Sequence, residues 1–477
     1  MEPKFGTWAQ PAPFGGGAGD TFLHPLVAVV MVVAIILILC LPRKHVIVPL
    51  LLCLFCIPKG QVMVIASLHF TVFRILLLTA LARLAAGGQS SSIAKGYNSI
   101  DRVVTLWAFS LMIVYSLQWM ALPALIKCLG ELIDSLGSYY ILRYLIQDWE
   151  DVRRAIKVLV LVSLVMAVCM MNEQRTGANI FGWLGGVPPE TIRDGKIRSQ
   201  GAFEVEITAG VFGATLLPLT VLLWSDGRYR VIAFLGMVGA TIMTLTCYAS
   251  TAMMAFVAGI LGLCFWPIRK GMRLLRWGLV GTLVALHLVM HGPVWSLIEH
   301  IDLTGSSSSF HRFQLVDNCI RHFGDWWLLG TRDNGSWGWF MWDTSNQYVA
   351  YAFTGGLSTF ILFISIISLS FSRLGAARKI VESDRKAAWI LWCLGATILA
   401  HVVGFFGIGY FDQVQFAWFT LLAIIPVAIS NVIKAPSLQG QASIPDFQTE
   451  EAICESALDK SVRTGAPLTP WSRYETE

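Results

Sequence analysis

Ile207-Thr-Ala-Gly-Val-Phe-Gly-Ala-Thr-Leu-Leu-Pro-Leu-Thr-Val-Leu-Leu-Trp224 contains no ionisable side chain. It is close to the ~20 residues that a helix needs to cross the hydrocarbon core of a bilayer. Comparable runs recur on both sides of it, near 25–41, 46–57, 61–84, 103–126, 134–147, 155–171, 231–249, 250–267, 276–291, 346–371, 387–407 and 412–432. Together they predict an all-α, polytopic transmembrane helical bundle of about 11–13 spans, the run at 46–57 being short and the one at 134–147 being interrupted by Arg143. Outer-membrane strands would alternate apolar and polar residues, a pattern not seen here.

Composition agrees. Of 477 residues, 55% are hydrophobic and 14% are charged, with a mean hydropathy of +0.64. A water-soluble chain carries nearer a quarter charged residues, so this one lacks the polar surface to face water all round. The net charge of +5 is modest and fits membrane topology better than nucleic-acid binding. Most of the ten cysteines stand in apolar runs, where they act as small core residues, including the Cys53-x-x-Cys56 pair. The first run ends at Pro42-Arg43-Lys44 without a small-residue cleavage site, so no cleavable signal peptide is expected.

The sequence divides into a polar N-terminal segment (1–24), a transmembrane region (25–433) and a polar tail (434–477) read as a disordered cytoplasmic extension. Arg269, Lys270, Arg273 and Arg276 crowd one connection. Arg373, Arg378, Lys379, Arg385 and Lys386 crowd another. The positive-inside rule puts both in the cytoplasm, which leaves 172–206 and the lysine-free 292–345 as extracytoplasmic loops. A chain that builds two sizeable loops outside and short ones inside is expected to work outside.

The first loop ends in Arg198, just ahead of the 207–224 run, and contains Arg175. A guanidinium at that depth suits a phosphate or diphosphate, or anchors the helix to headgroups. Glu204 and Glu206 are costly at membrane depth unless paired or hydrated, which makes both functional candidates. In the second loop, Gly305 to Ser309 makes a natural helix start. Phe310, Phe313, Val316, Ile320 and Phe323 then recur at helical spacing, leaving His311, Arg312, Gln314, Asn318 and Arg321 on the polar side of a short amphipathic helix at the membrane mouth. Arg332 follows among Trp326, Trp327, Trp337, Trp339 and Trp342, rings that either stack on sugars or anchor the chain at the interface. Asp343 reads as an N-cap and Asn346, one turn on, as a functional residue. Tyr410-Phe-Asp412-Gln413 reads as a turn, with the same cavity within its reach.

These features resemble the O-antigen ligase and polymerase superfamily of bacterial membrane glycosyltransferases. The likeness rests on Arg198-x-x-Gly-x-Phe203 before a mid-chain span and the short turn Tyr248-Ala-Ser-Thr251. It continues with the helix Ser309 to Arg321, Leu328-Leu-Gly330, and Asn346-x-Tyr348 followed by Gly355-Gly-Leu357. It spans roughly residues 60–432. The resemblance implies transfer of a polyprenyl-diphosphate-linked glycan to a glycan or lipid-core acceptor at the outer face of the bacterial inner membrane, with Arg198 and Arg312 holding the donor diphosphate. Many ligases have His-Asn where this chain has Ser345-Asn346, and the arginine many members carry near position 250 is absent, which tilts the reading from ligase toward polymerase.

Inverting transfer needs cations at the leaving diphosphate and a base for the acceptor hydroxyl. Glu204 and His311 are the expected bases, ahead of Glu206 and Asp343. Arg175, Glu206, Arg321, Arg332, Asp343, Asn346 and Trp327 are expected substrate contacts. No metal, cofactor or nucleic acid is expected; membrane lipids are, and a polysaccharide assembly complex is a possible partner. A transporter or lipid-linked glycan flippase is the competing class, expected to carry charged residues deep in several spans. A non-catalytic membrane scaffold is the third.

Overall fold

The computed structural model describes residues 21–66, 68–87, 96–187, 191–193, 195–290, 292–300, 308–338 and 340–437. The polar segment up to residue 20, the helix start at 305–307, Trp339 and the tail beyond 437 lie outside the described residues. Helix α1 (Pro25–Cys40) and α2 (Arg43–Cys56) lead into a hairpin of β1 (Val62–Ile65) and β2 (Leu68–Thr71), followed by α3 (Val72–Ala86), α4 (Ser99–Trp119) and α5 (Leu122–Leu132). A single π turn (Ile133–Gly137) joins α5 to α6 (Ser138–Leu145), and α7 (Trp149–Thr176) completes the first half. A second hairpin, β3 (Thr191–Arg193) and β4 (Lys196–Arg198), precedes α8 (Glu206–Ser225), α9 (Arg230–Thr246), α10 (Ser250–Cys264) and α11 (Met272–Val289). Short helices α12 (Leu297–His300), α13 (Ser308–Arg321) and α14 (Phe323–Trp326) lie before the last three long ones, α15 (Gln347–Ile380), α16 (Arg385–Gly404) and α17 (Gln413–Ser437).

Among the described residues, seven helical segments are long and apolar enough to cross a membrane, and α1, α9 and α10 are shorter apolar helices. The chain is therefore an all-α, multi-pass bundle. Its centre is α8, most of whose span is enclosed by other helices; the segment Trp266–Val289, which includes α11, buries none of its apolar window inside the bundle. The basic connections gather at one end: Arg378 donates to the Arg269 carbonyl (3.2 Å) and Lys270 faces Glu382 (3.8 Å). Arg153 joins Asp226 (2.7 Å) at the same end.

Three segments depart from the runs read off the sequence. The run 61–84 begins as a β-hairpin: Gln61 is fully buried, and its side chain bonds the Leu184 and Gly185 carbonyls (2.9 and 2.8 Å), tying the strands to the first loop. The run 103–126 stops at Trp119, because Met120 adopts a left-handed backbone (φ 45°) and Pro123 opens the next helix. The run 134–147 correspondingly extends back to Leu122, so Lys127, Glu131 and Asp134 lie inside helical structure, not in a connection. Nor is α15 continuous. It breaks at Gly356 (φ 64°), where a Cβ would lie 2.6 Å from the Leu328 carbonyl oxygen. The Trp327–Thr331 turn packs into the break, with Leu357 N–H donating to the Trp327 carbonyl (2.9 Å) and Thr331 N–H to Phe353 (2.8 Å). Gly330 (φ 73°) lets that turn come within contact of Phe353. Leu-Leu-Gly and Gly-Gly-Leu are thus two halves of one junction.

Arg143, which interrupts its apolar run, is fully buried against Asp101: Nε to Oδ1 is 3.0 Å and Nη2 to Oδ2 is 3.2 Å. Tyr139 donates to the same carboxylate, and Asp101 also accepts from Asn98 N–H (2.8 Å) in the capping box of α4. This pair locks α4 to α6. Arg143→Ala should cost on the order of 3–5 kcal/mol, since it strands a buried carboxylate. Thermal unfolding in detergent reads this directly; an unchanged midpoint contradicts the lock.

Candidate functional site

Arg198 is aimed by a buried carboxylate. Glu173, near the end of α7, is fully enclosed and accepts backbone N–H bonds from Gln200 (3.1 Å) and Gly201 (3.0 Å). Gly201 takes φ 61° there, a backbone that a side chain would strain. Ser199 N–H donates to the Thr246 carbonyl (3.2 Å), pinning the same stretch to the end of α9. So held, Arg198 puts Nη1 2.6 Å from the Glu206 carboxylate and donates from Nε to the Cys247 carbonyl (3.4 Å). Glu206 opens α8, where a negative charge also meets the positive end of the helix dipole.

Arg312 arrives from α13. It is buried, and Nη2 donates to the hydroxyl of Thr251 (2.9 Å) in the first turn of α10. The residues that receive the two guanidiniums, Cys247 and Thr251, are four apart in the chain, so their Cα atoms lie within about 14 Å of each other. The two arginines share one turn and one end of the bundle, the end opposite the basic connections.

More of the chain converges there. Thr251 donates to the Gly407 carbonyl (3.4 Å), and Asn346 Nδ2 to Phe406 (3.2 Å), fixing the connection between α16 and α17. Asp412, buried in that connection, accepts from Glu204 N–H (3.3 Å) and from the Thr208 hydroxyl. Lys59 pairs with Glu204 (3.4 Å) and donates to the Phe411 carbonyl (2.6 Å). The result is a cluster of three cations (Arg198, Arg312, Lys59) and three carboxyls (Glu204, Glu206, Asp412) brought together by β4, α8, α10, α13 and the connections after α2, before α8 and before α17.

His311 adjoins Arg312. Its Nε2 lies 3.1 Å from the Asp343 carbonyl and 3.9 Å from the Asp343 carboxylate. A carbonyl only accepts, so this contact places the proton on Nε2 and leaves Nδ1 as the acceptor nitrogen. Asp343 does not cap α15. Asn346 does, accepting from Tyr348 N–H (3.0 Å) and Val349 N–H (3.2 Å), so the cap read for Asp343 falls to Asn346. The reason is that α15 starts one residue after Asn346, out of reach of Asp343.

The remaining candidates stand apart from this group. Arg175 is exposed at the end of α7. Arg321 is exposed and paired with Asp317 on its own helix (2.7 Å). Arg332 reaches α4, bonding the Gln118 carbonyl and lying 5.5 Å from the centre of the Trp119 ring. Trp327 is half exposed, while Trp326 and Trp337 belong to a small apolar core with Val349 and Phe353 and offer no face to a ligand. On α13 the inward face is Ser309, Arg312 and Leu315, and Phe310 and Ile320 point outward. The apolar stripe is split, with Val316 packed against the Trp326–Phe353 core and Phe310, Ile320 and Phe323 exposed.

Lys59, Glu173 and Thr251 were not singled out from the sequence as site residues. Each stands in a short connection or helix end whose partners are remote in the chain. A lysine between Pro58 and Gly60, flanked by apolar runs, is the one local signal of the three.

Burial pushes the Asp412 carboxyl up from 3.8 to about 6. A raised carboxyl favours the folded state fully below pH 4, and that contribution is lost as pH rises through about 6. Its ionisation should therefore cost on the order of 3 kcal/mol by neutral pH. In detergent, Asp412→Asn should gain thermal stability over the parent chain between pH 4 and 7; a difference independent of pH contradicts this assignment. The chain matches no protein-family model and shows no significant similarity to a curated protein.

Proposed function

We propose that this protein transfers or polymerises a polyprenyl-diphosphate-linked glycan at the outer face of the bacterial inner membrane, in exopolysaccharide or lipopolysaccharide assembly. The observation that carries the reading is the shared footing of Arg198 and Arg312 on the Cys247–Thr251 turn, with an imidazole next in the chain to Arg312. Two permanent cations beside a hydroxyl-bearing turn suit a diphosphate that gains charge as it leaves. Many ligases of the family that the sequence resembles have a histidine at the position of Ser345. Here His311 reaches the Asp343 backbone, two residues away, from a different helix.

In this mechanism the acceptor hydroxyl gives its proton to His311 Nδ1 as its oxygen attacks the anomeric carbon of the donor. The bond from that carbon to the diphosphate oxygen breaks, and the electron pair leaves with the diphosphate between Arg198 and Arg312. Asp343 offsets the imidazolium. Glu206 neutralises Arg198 until the diphosphate replaces it.

A lipid-linked glycan flippase is the second reading, favoured by the charged Arg74, Lys127, Glu131 and Asp134 within or beside apolar helices. Proteoliposomes supplied with undecaprenyl-diphosphate oligosaccharide separate the two. Transfer predicts longer products or a glycosylated added acceptor. Arg312→Ala should lower that rate ~10²–10³-fold, and His311→Ala ~10²–10⁴-fold, with both variants still inserted and folded. Lipid movement without product supports the flippase, and unchanged products in Arg312→Ala remove that residue from the mechanism.

A further inference from the structure

Helix α5 presents two unlike faces. Leu122, Leu125, Ile126 and Leu129 are exposed on one side, as lipid contacts are. On the other, Lys127, Glu131 and, within the π turn, Asp134 form a stripe about 10 Å long. Lys127 donates to the Tyr115 hydroxyl of α4 (3.1 Å) and stands 3.9 Å from Glu131. Arg74 of α3 grips Asp134 through Nε (3.1 Å) and Nη2 (2.9 Å). It crosses α5 at Gly130, where a Cβ would come within 2.7 Å of the guanidinium carbon.

Unlike the Arg143–Asp101 pair, these groups are not sealed. Glu131 keeps 46% of its side chain accessible and Lys127 32%, with Arg74 and Asp134 at 23% each. The charged groups acting on Glu131 are Lys127 and Asp134 from its own segment, Arg74 from α3 and Lys59 from the connection after α2; Glu131 in turn acts on Tyr351 of α15. Its open surface therefore faces a cleft between helices. Lys59 also acts on Asp412 and pairs with Glu204, so the cleft continues into the arginine site.

Arg74 and Lys127 balance Glu131 and Asp134, and Lys59 is paired with Glu204 (3.4 Å), so the cleft has no net charge to attract a diphosphate or a metal ion. What it offers is alternating donors and acceptors, matched to hydroxyl groups, which are both. Tyr115 is buried and contributes its hydroxyl, while Trp119, 6.2 Å away and partly exposed, supplies an aromatic face of the kind sugar rings pack on. We propose that the Tyr115–Lys127–Glu131 cleft is the subsite for a hydroxyl-rich, uncharged acceptor glycan, separate from the donor's diphosphate site. This rests on the glycan-transfer reading above.

The test uses the full chain in proteoliposomes, with undecaprenyl-diphosphate oligosaccharide as donor and a separate uncharged oligosaccharide as the varied acceptor. Glu131→Gln and Lys127→Gln should each raise the KM for acceptor ~10-fold, the effect of losing about one sugar hydrogen bond, and leave donor affinity unchanged. Arg312→Ala should do the reverse. Independently, Glu131→Cys should react with a membrane-impermeant maleimide added from outside, and Leu129→Cys should not, the modified peptide being located by mass spectrometry. An unchanged acceptor KM, a loss of donor affinity in Glu131→Gln, or an unreactive Glu131→Cys overturns the subsite while the transfer reading stands. If the parent chain neither binds donor nor makes product, the transfer reading falls and the acceptor subsite with it.

Discussion

A bilayer's hydrocarbon core offers no partner to a backbone N–H or carbonyl, so every departure from helix within this bundle has to be repaired by the protein itself. The break in α15 shows the cost and the repair together. Gly356 frees backbone groups that a straight helix would have paired, and the Trp327–Thr331 turn supplies partners to Leu357 N–H and the Phe353 carbonyl. That repair fixes where the loop between α11 and α15 returns to the bundle, and with it the approach of α13 and Arg312. The same constraint governs charge. Arg143 and Asp101 are sealed together, Glu173 is clothed in backbone N–H groups, and Arg198 meets Glu206.

Against that background, openness becomes informative. A charged pair that has been fully enclosed is structural, because nothing can reach it. A charged pair that stays accessible between helices, as Lys127 and Glu131 do, keeps part of its hydration and can be reached by a ligand. The two kinds occur on neighbouring elements of the same bundle.

Most of the helices were legible in the sequence, because hydrophobic length is a direct report of the solvent. Where the reading failed, the cause was local chemistry overriding length. Met120 reverses the chain in a left-handed conformation, and Gln61, buried by bonds to residues far along the chain, turns an apolar run into a hairpin. The site was legible only in part. Arg198 and Arg312 stand out because arginine next to an apolar run has to be explained. Glu173, Lys59 and Thr251 do not, since what brings them to the site is a set of contacts between segments remote in sequence. That the cap is Asn346 and not Asp343 turned on where a helix starts, by a single turn, which apolar patterning does not resolve.

What joins the fold to the proposed chemistry is the single turn between α9 and α10 that receives both arginines. A double-mutant cycle tests it most directly: the affinity for undecaprenyl diphosphate measured for the parent chain, Arg198→Ala, Arg312→Ala and the double variant. Two guanidiniums on one diphosphate predict a coupling energy of roughly 0.5–3 kcal/mol between the substitutions. Losses that simply add, or no loss at all, would show that the two side chains do not share a ligand.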